Sequence, residues 1–415
     1  MSTLEIVCVV VATAGLFGWV STRVLRLPIT IGTMLLTVGA SLILMDIGRF
    51  VPSLHQGVEQ FTQQIDFESL IMHGMLPLLL FAAAFLLDLD QLAREKLPVG
   101  LLSILGTVLS FFAVAALMKL FSFGHASWIE CLLFGALISP TDPVAVLEML
   151  RRVGISKSIE AQLAGESLFN DGVGAVLFLT MIQIARGNEL TFGHIAWLLL
   201  LEAGGAVFLG IFAAWLVSHL MCLVNSYQVD ILLTLTLALG GYVLATLGHL
   251  SGPLEAVVAG IALRHFNRQK PAGRIADDRV DQFWTLIDEV QNSLLFVLLG
   301  LEVLVVSLNP VTLRAGAAAI FSVNAVRLAV VALCVMILRI CQKNRRTAIL
   351  TLTWGGLRGG LSIALALSVP AALGGSWIFG ATYLVVVFSI LIQGGSLHLV
   401  MSRRNRKRAA THAAV

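Results

Sequence analysis

Apolar residues run in blocks about as long as a bilayer is thick, separated by short polar stretches, from one end of the chain to the other. A run of roughly 20 mostly apolar residues can cross the hydrocarbon core as an α-helix. Such runs fall near 3–20, 28–45, 68–87, 97–118, 126–149, 158–185, 192–222, 229–247, 252–264, 283–307, 312–338, 347–369 and 378–400. The pattern predicts an all-α polytopic membrane protein of about thirteen transmembrane helices. Between spans 2 and 3, Phe50, Leu54, Val58 and Phe61 recur at helical spacing, which predicts an interfacial helix. The polar stretch from Arg264 to Gln282 is a connector, too short for a domain.

Composition agrees with the pattern. Of the 415 residues 58% are hydrophobic and 12% charged, and the mean hydropathy is +0.93, whereas a soluble domain is about 25% charged. No soluble domain and no nucleic-acid partner is expected; the surroundings are the lipid bilayer. The first span has no Lys or Arg before it and no small-residue cleavage site after it, so it reads as an uncleaved span. Five scattered cysteines without a CxxC pair suggest neither a zinc site nor a disulfide framework. With the basic tail 403–415 cytoplasmic, an odd number of spans puts the N-terminus outside. The loops on the tail's side then hold 21 of the 27 Lys and Arg, against Arg49, Lys119, Arg186 and Arg314 on the other. That bias satisfies the positive-inside rule for a multi-pass protein of the cell membrane.

Ionisable residues deep in the bilayer are costly and point to function. In span 5, "SPTDPVAV" sets Pro140 and Pro143 around Thr141 and Asp142. Both prolines lack N–H donors, so the helix should unwind there, and irregular backbone at that depth belongs beside a watery cavity or within protein. An aspartate at a half-helix N-terminus would offset the positive dipole end. In span 6, "GESLFNDGVG" stacks Glu166 over Asn170 and Ser167 over Asp171 at a spacing of four, presenting oxygen ligands over little more than one turn. Hard monovalent cations take such ligands; a polar seam joining helices would use Ser and Asn but not two acids. In span 12, "WGGLRGGLSIALAL" flanks Arg358 with four glycines, which loosen a helix. Arg358 there lies against half-helix carbonyl ends or pairs with a buried acid. Arg327, Glu289, Gln291 and Asn292 either line the cavity or serve structure. His73, Glu202, Asp230 and Glu255 lie near span ends, where snorkelling to water is the default.

Spans 5 and 12 hold corresponding positions in two halves, about 1–188 and 226–402, if span 7 (about 190–224) is a linker. That linker reverses the second half, so the pattern is an inverted repeat with two broken, crossing helices and a site where they meet.

On "SPTDPVAV", "GESLFNDGVG" and "WGGLRGGLSIALAL", with weaker support from "LPLLLFAAAFLLDLDQL" and "FWTLIDEVQNSLLFVLLGLEV", the chain resembles the sodium/proton antiporters of cation:proton antiporter family 1. These are the NhaP-type and NHE-type exchangers, here in the bacterial form without a long regulatory tail. The resemblance runs over nearly the whole chain. It implies a thirteen-helix fold, a homodimer, and a core moving against a dimerisation unit. It makes Asp171 the carboxylate that alternately binds a proton or a cation, with Ser167, Thr141 and Glu166 as further oxygens, so Na+ would sit at Asp171, Ser167 and Thr141. Asn170 stands where electrogenic relatives carry a second aspartate, implying electroneutral one-for-one exchange. Asp142 and Arg358 would compensate the crossed helix ends, and Glu166 competes between the roles of ligand and partner of Arg358.

The residues alone support the same chemistry. A carboxylate in a low-dielectric cavity is stable there only once neutralised, and either a proton or a cation does so. A carrier that crosses only when neutralised must swap Na+ for H+ across the plasma membrane. Li+ fits the same ligands, and K+/H+ exchange is the alternative. No cofactor is implied and no nucleotide-binding motif is present. An enzyme would need a catalytic pair, and neither GxGD nor HExxH occurs. A cation channel or a non-transporting sensor is the alternative of a different class.

Overall fold

The computed structural model describes residues 3–48, 50–51, 66–122, 125–143, 146–147, 150, 155–186, 192–224, 226–268, 276–306, 309–338 and 345–396. The expected interfacial helix and the basic tail lie outside the described residues, apart from Phe50. The regular elements among the described residues are helices: α1 Thr3–Val20, α2 Ile29–Gly48, α3 Phe67–Phe85, α4 Leu89–Arg94, α5 Lys96–Phe121, α6 Trp128–Ile138, α7 Lys157–Ala185, α8 Phe192–Leu223, α9 Tyr227–Leu247, α10 Gly252–Arg268, α11 Ala276–Leu301, α12 Pro310–Ile337, α13 Arg345–Trp354, α14 Gly360–Leu367 and α15 Gly375–Gly394.

Among the described residues, nine helices have the length and hydropathy to cross a membrane. The expected spans near 126–149, 252–264, 283–307 and 347–369 are not among them. α6 stops at Ile138, α10 has 17 residues, α11 is polar over its first half, and α13 and α14 are two short pieces. The total of thirteen therefore stays a proposal.

Local chemistry sets the helix starts. Ser127 caps α6 by accepting from Glu130 N–H at 3.2 Å, and its hydroxyl donates to the Glu130 carboxylate at 2.9 Å, so one orphan N–H of the first turn is satisfied. Asn309 caps α12 through Thr312 N–H at 2.8 Å, with Pro310 at the first helical position, where its missing donor costs nothing.

Two groups of helices result. α2, α3, α8, α9, α10 and α11 pack on one another, and α5, α7, α12 and α15 pack against the two interrupted helices, α6 and the pair α13 and α14. In the first group Phe81 and Trp284 meet at 4.7 Å between ring centroids, and Trp284 Nε1 donates to Thr234 Oγ1 at 3.1 Å. Lipid is as apolar as leucine, so close approach of backbones through small residues drives helix association in membranes. Gly260 of α10 shows this: a Cβ there would stand 2.8 Å from Phe81 O and 2.7 Å from Ala84 Cβ of α3.

Gly260→Leu should destabilise the fold by about 1–3 kcal/mol through overpacking, read as a lower midpoint of thermal unfolding in detergent. An unchanged midpoint would show that α3 and α10 do not meet there.

Candidate functional site

The two prolines end α6. In an unbroken helix the N–H of residue 140 would bond the Ala136 carbonyl, and that of residue 143 the Ser139 carbonyl; proline supplies neither donor. The chain is non-helical from Ser139 to Pro143, and Leu147 N–H donates to Pro143 O at 2.7 Å beyond the gap. Between α13 and α14 the chain is likewise non-helical around Leu357 and Arg358.

These two gaps cross. Asp142 N–H donates to Leu357 O at 2.8 Å, forming an isolated antiparallel bridge. Arg358 Nη1 donates to Ser139 O at 2.8 Å and Pro140 O at 2.7 Å. The guanidinium thus takes up carbonyls left over where α6 ends, at the negative pole of that helix. Opposite in sign, the Asp142 carboxyl lies against Gly359, the N-cap residue of α14, so closely that a Cβ on Gly359 would collide with it. Gly174 of α7 similarly leaves no room for a Cβ against the Pro140 ring, which seats α7 on the unwound segment.

α7 carries the remaining polar groups. Asn170 clamps Thr141 at two points: its Nδ2 donates to Thr141 Oγ1 at 2.8 Å, and its Oδ1 accepts from Thr141 N–H at 3.2 Å. Ser167 Oγ lies 3.0 Å from Thr141 Oγ1. All three residues are buried. Asp171, one turn beyond Ser167 on the same helix, is half-buried and within electrostatic reach of Asp142 and Arg358. No hydrogen bond reaches its carboxylate among the described residues. Carboxylate, hydroxyl and backbone oxygens form a donor set suited to a hard monovalent cation.

Glu166 is engaged elsewhere. Both its oxygens accept from Arg327 of α12, one of them at 3.0 Å, and Arg327 also donates to Leu352 O at 2.9 Å. Arg358, the acid's expected alternative partner, is instead held by backbone carbonyls and makes no ion pair with it among the described residues. The guanidinium of Arg327 fills the space where a Gly356 side chain would stand, so it braces the second broken helix.

A further polar chain backs the crossing. Arg358 N–H donates to Ser389 Oγ at 3.0 Å, Ser389 Oγ donates to Gln393 Oε1 at 2.8 Å, and Gln393 Nε2 donates to Asn324 of α12. Sequence reasoning missed these three residues. Ser389 and Gln393 stand four apart in the last span, but a helical serine commonly bonds its own preceding turn, so the spacing carries no signal. The snorkelling expectation fails for two acids: Asp230 and Glu255 are buried, and both Glu255 oxygens lack a hydrogen-bond partner among the described residues. Asn292 donates to Asp288 on its own helix at 3.1 Å.

A family model described as sodium/hydrogen exchanger, transmembrane, matches residues 9–403. The chain is 38% identical over 410 residues to the Na(+)/H(+) antiporter NhaP of Pseudomonas aeruginosa, covering 96% of each. It is 30% identical over 364 residues to the Na(+)/H(+) antiporter NhaH of Halobacillus aidingensis, covering 85% of this chain and 87% of that one. Among solved structures, the sodium proton antiporter MjNhaP1 from Methanocaldococcus jannaschii at pH 8 superposes with a TM-score of 0.72 at 18% identity, covering 97% of this chain and 99% of that one; this likeness concerns the fold.

Removing one member of a buried ion pair leaves the other uncompensated. Arg327→Ala should therefore cost about 3–5 kcal/mol, and the double change Arg327→Met with Glu166→Gln should recover most of it. Thermal midpoints of the three proteins in detergent test this; equal losses in the single and double variants would mean that the pair is not formed.

Proposed function

Because the chain belongs to the sodium/hydrogen exchanger family, we propose that it exchanges Na+ for H+ by letting the two ions compete for Asp171 in a membrane-embedded pocket. The family is one of transporters rather than enzymes. One observation carries the assignment of the exchanging acid. Arg358 is taken up by carbonyls, Glu166 by Arg327, and Asp142 lies at the start of α14. Of these acids around the crossing, Asp171 is the one left without an arginine or a helix end to hold, and no hydrogen bond is made to it among the described residues.

Neutralisation gives the exchange its coupling. Burying an unpaired carboxylate is costly, so the site moves across the membrane barrier only when it holds a proton or a cation. Ser167 and Thr141 supply further oxygens to Na+ once their mutual hydrogen bond opens. Asn170 positions Thr141 and adds no charge, and Glu166 is locked by Arg327 and takes no part as a ligand. One exchangeable acid replaces one H+ by one Na+, so the cycle is electroneutral. Asp142 and Arg358 hold opposite ends of the crossed half-helices, a site placement found in transporters built from inverted repeats. The remaining proposals are thirteen spans in two repeats joined by α8, an external N-terminus, a cytoplasmic C-terminus, residence in the cell membrane and a homodimer.

In proteoliposomes carrying a pH gradient, added Na+ should dequench a pH-gradient dye, with Li+ following and K+ ineffective. Asp171→Asn should reduce the response to that of empty vesicles while the protein stays folded; proton-coupled flux persisting in this variant would remove Asp171 from the role. A K+ response equal to that of Na+ would make the protein a K+/H+ exchanger, and downhill cation flow without proton counter-flow would make it a channel. Ser167→Ala should raise the half-maximal Na+ concentration about tenfold, equivalent to about 1.4 kcal/mol. Asn170→Asp should make exchange generate current on a solid-supported membrane; a silent trace would place Asn170 away from the ion.

A further inference from the structure

A crevice of about 550 Å³ opens between α4, α5, α7 and α10, with none of the proposed ion ligands in its walls. Its walls are stripes at helical spacing: Lys96, Gly100 and Ile104 follow one another by four along α5, as do Phe169 and Val173 along α7. α5 begins at Lys96, whereas α10 reaches His265 in its last turn. Both residues line the crevice, so its basic groups gather at one end and its depth is apolar. Lys96 and Ile104 in its walls are exposed, so the crevice is open to its surroundings.

Charge and polarity decide what fits. Water gains nothing from an apolar slot with so few polar partners, while a fatty-acyl chain fills it at no cost. At the basic end the neighbouring acids are engaged with other groups: Asp90 pairs with Arg268 at 3.0 Å, and Glu95 accepts from Ser158 at 2.6 Å and from Gln162 at 2.7 Å. Lys96 has no ion-pair partner among the described residues. A basic residue at a bilayer surface attracts anionic headgroups, and a zwitterionic lipid would bring its own cation towards the ammonium.

We propose that the crevice holds one acyl chain of an anionic phospholipid whose phosphate is bound at Lys96 and His265. The crevice lies beside the contact where Gly172 of α7, the helix that carries Asp171, meets Leu254 of α10, which belongs to the other group of helices. A lipid lodged there keys the two groups together and sets how readily they part, so the exchange rate depends on anionic lipid. That last step rests on the exchange reading; the binding of lipid does not.

Native mass spectrometry of the full chain, released from detergent with phosphatidylglycerol or phosphatidylcholine added, separates the two. Phosphatidylglycerol should be retained in preference. Lys96→Gln should weaken its retention about fivefold, the effect of one basic residue at an anionic surface. Gly100→Leu should abolish the preference, because Gly100 lines the crevice, a Cβ there meets nothing within 4 Å, and a larger side chain takes up space meant for the acyl chain. Equal retention of both lipids, or retention that survives Gly100→Leu, overturns the proposal. So does a Gly100→Leu protein that retains lipid like the parent but has lost Na+-driven dye dequenching in every lipid mixture, since the crevice would then be a water-filled path for ions. With binding established, exchange in vesicles should rise with phosphatidylglycerol for the parent chain and not for Gly100→Leu. Retention without that rise confines the failure to regulation, whereas absence of exchange in all vesicles points back to the ion pocket.

Discussion

Two helices broken within a membrane leave backbone groups that neither lipid nor their own helices can satisfy, and the structure depends on their satisfying each other. Asp142 N–H meets Leu357 O, and the Arg358 guanidinium receives the carbonyls of Ser139 and Pro140. Unpaired, each such group would cost several kcal/mol in a dry interior. Paired across the crossing, the same groups fix two gaps in register and place a cation at the carboxyl end of α6 and an acid at the amino end of α14. The prolines create the demand, and Arg358 together with the close approach at Gly359 meets it.

Several contacts around the crossing hold it in place. Asn170 holds Thr141 by both backbone and side chain, and Gly174 lets α7 sit against Pro140. Ser389, Gln393 and Asn324 tie the Arg358 segment to α15 and α12, while the Glu166–Arg327 pair ties α7 to α12 beside Gly356. A buried ion pair adds little net stability but is severe to break, so its value here is positional: it fixes α7 one turn before Asp171 and occupies both oxygens of Glu166.

Much of this was legible in the chain because breaking a helix in a bilayer demands rare residues. Pro140, Asp142, Pro143 and the glycines around Arg358 mark the gaps unaided, and the spacing of Ser167, Asn170 and Asp171 places them on adjoining stripes of one helix. Pairing was less legible. Glu166 and Arg327 lie 161 positions apart, and no periodicity says which of two buried arginines an acid will meet; local geometry decides it, since Arg358 is claimed by nearer carbonyls. Burial of Asp230 and Glu255 was hidden for a related reason: distance from a span's end predicts access to water only where no neighbouring helix covers it. The three-residue chain through Ser389 left no trace because serine and glutamine are ordinary in such helices.

The central claim is that Na+ and H+ exclude each other at Asp171. Its most direct measure is the proton released when Na+ is added to the purified protein in weakly buffered solution, beside calorimetric Na+ binding. One proton released for each Na+ bound, with both signals lost in Asp171→Asn, is the expected result. Na+ binding without proton release, or release undiminished in that variant, would contradict it.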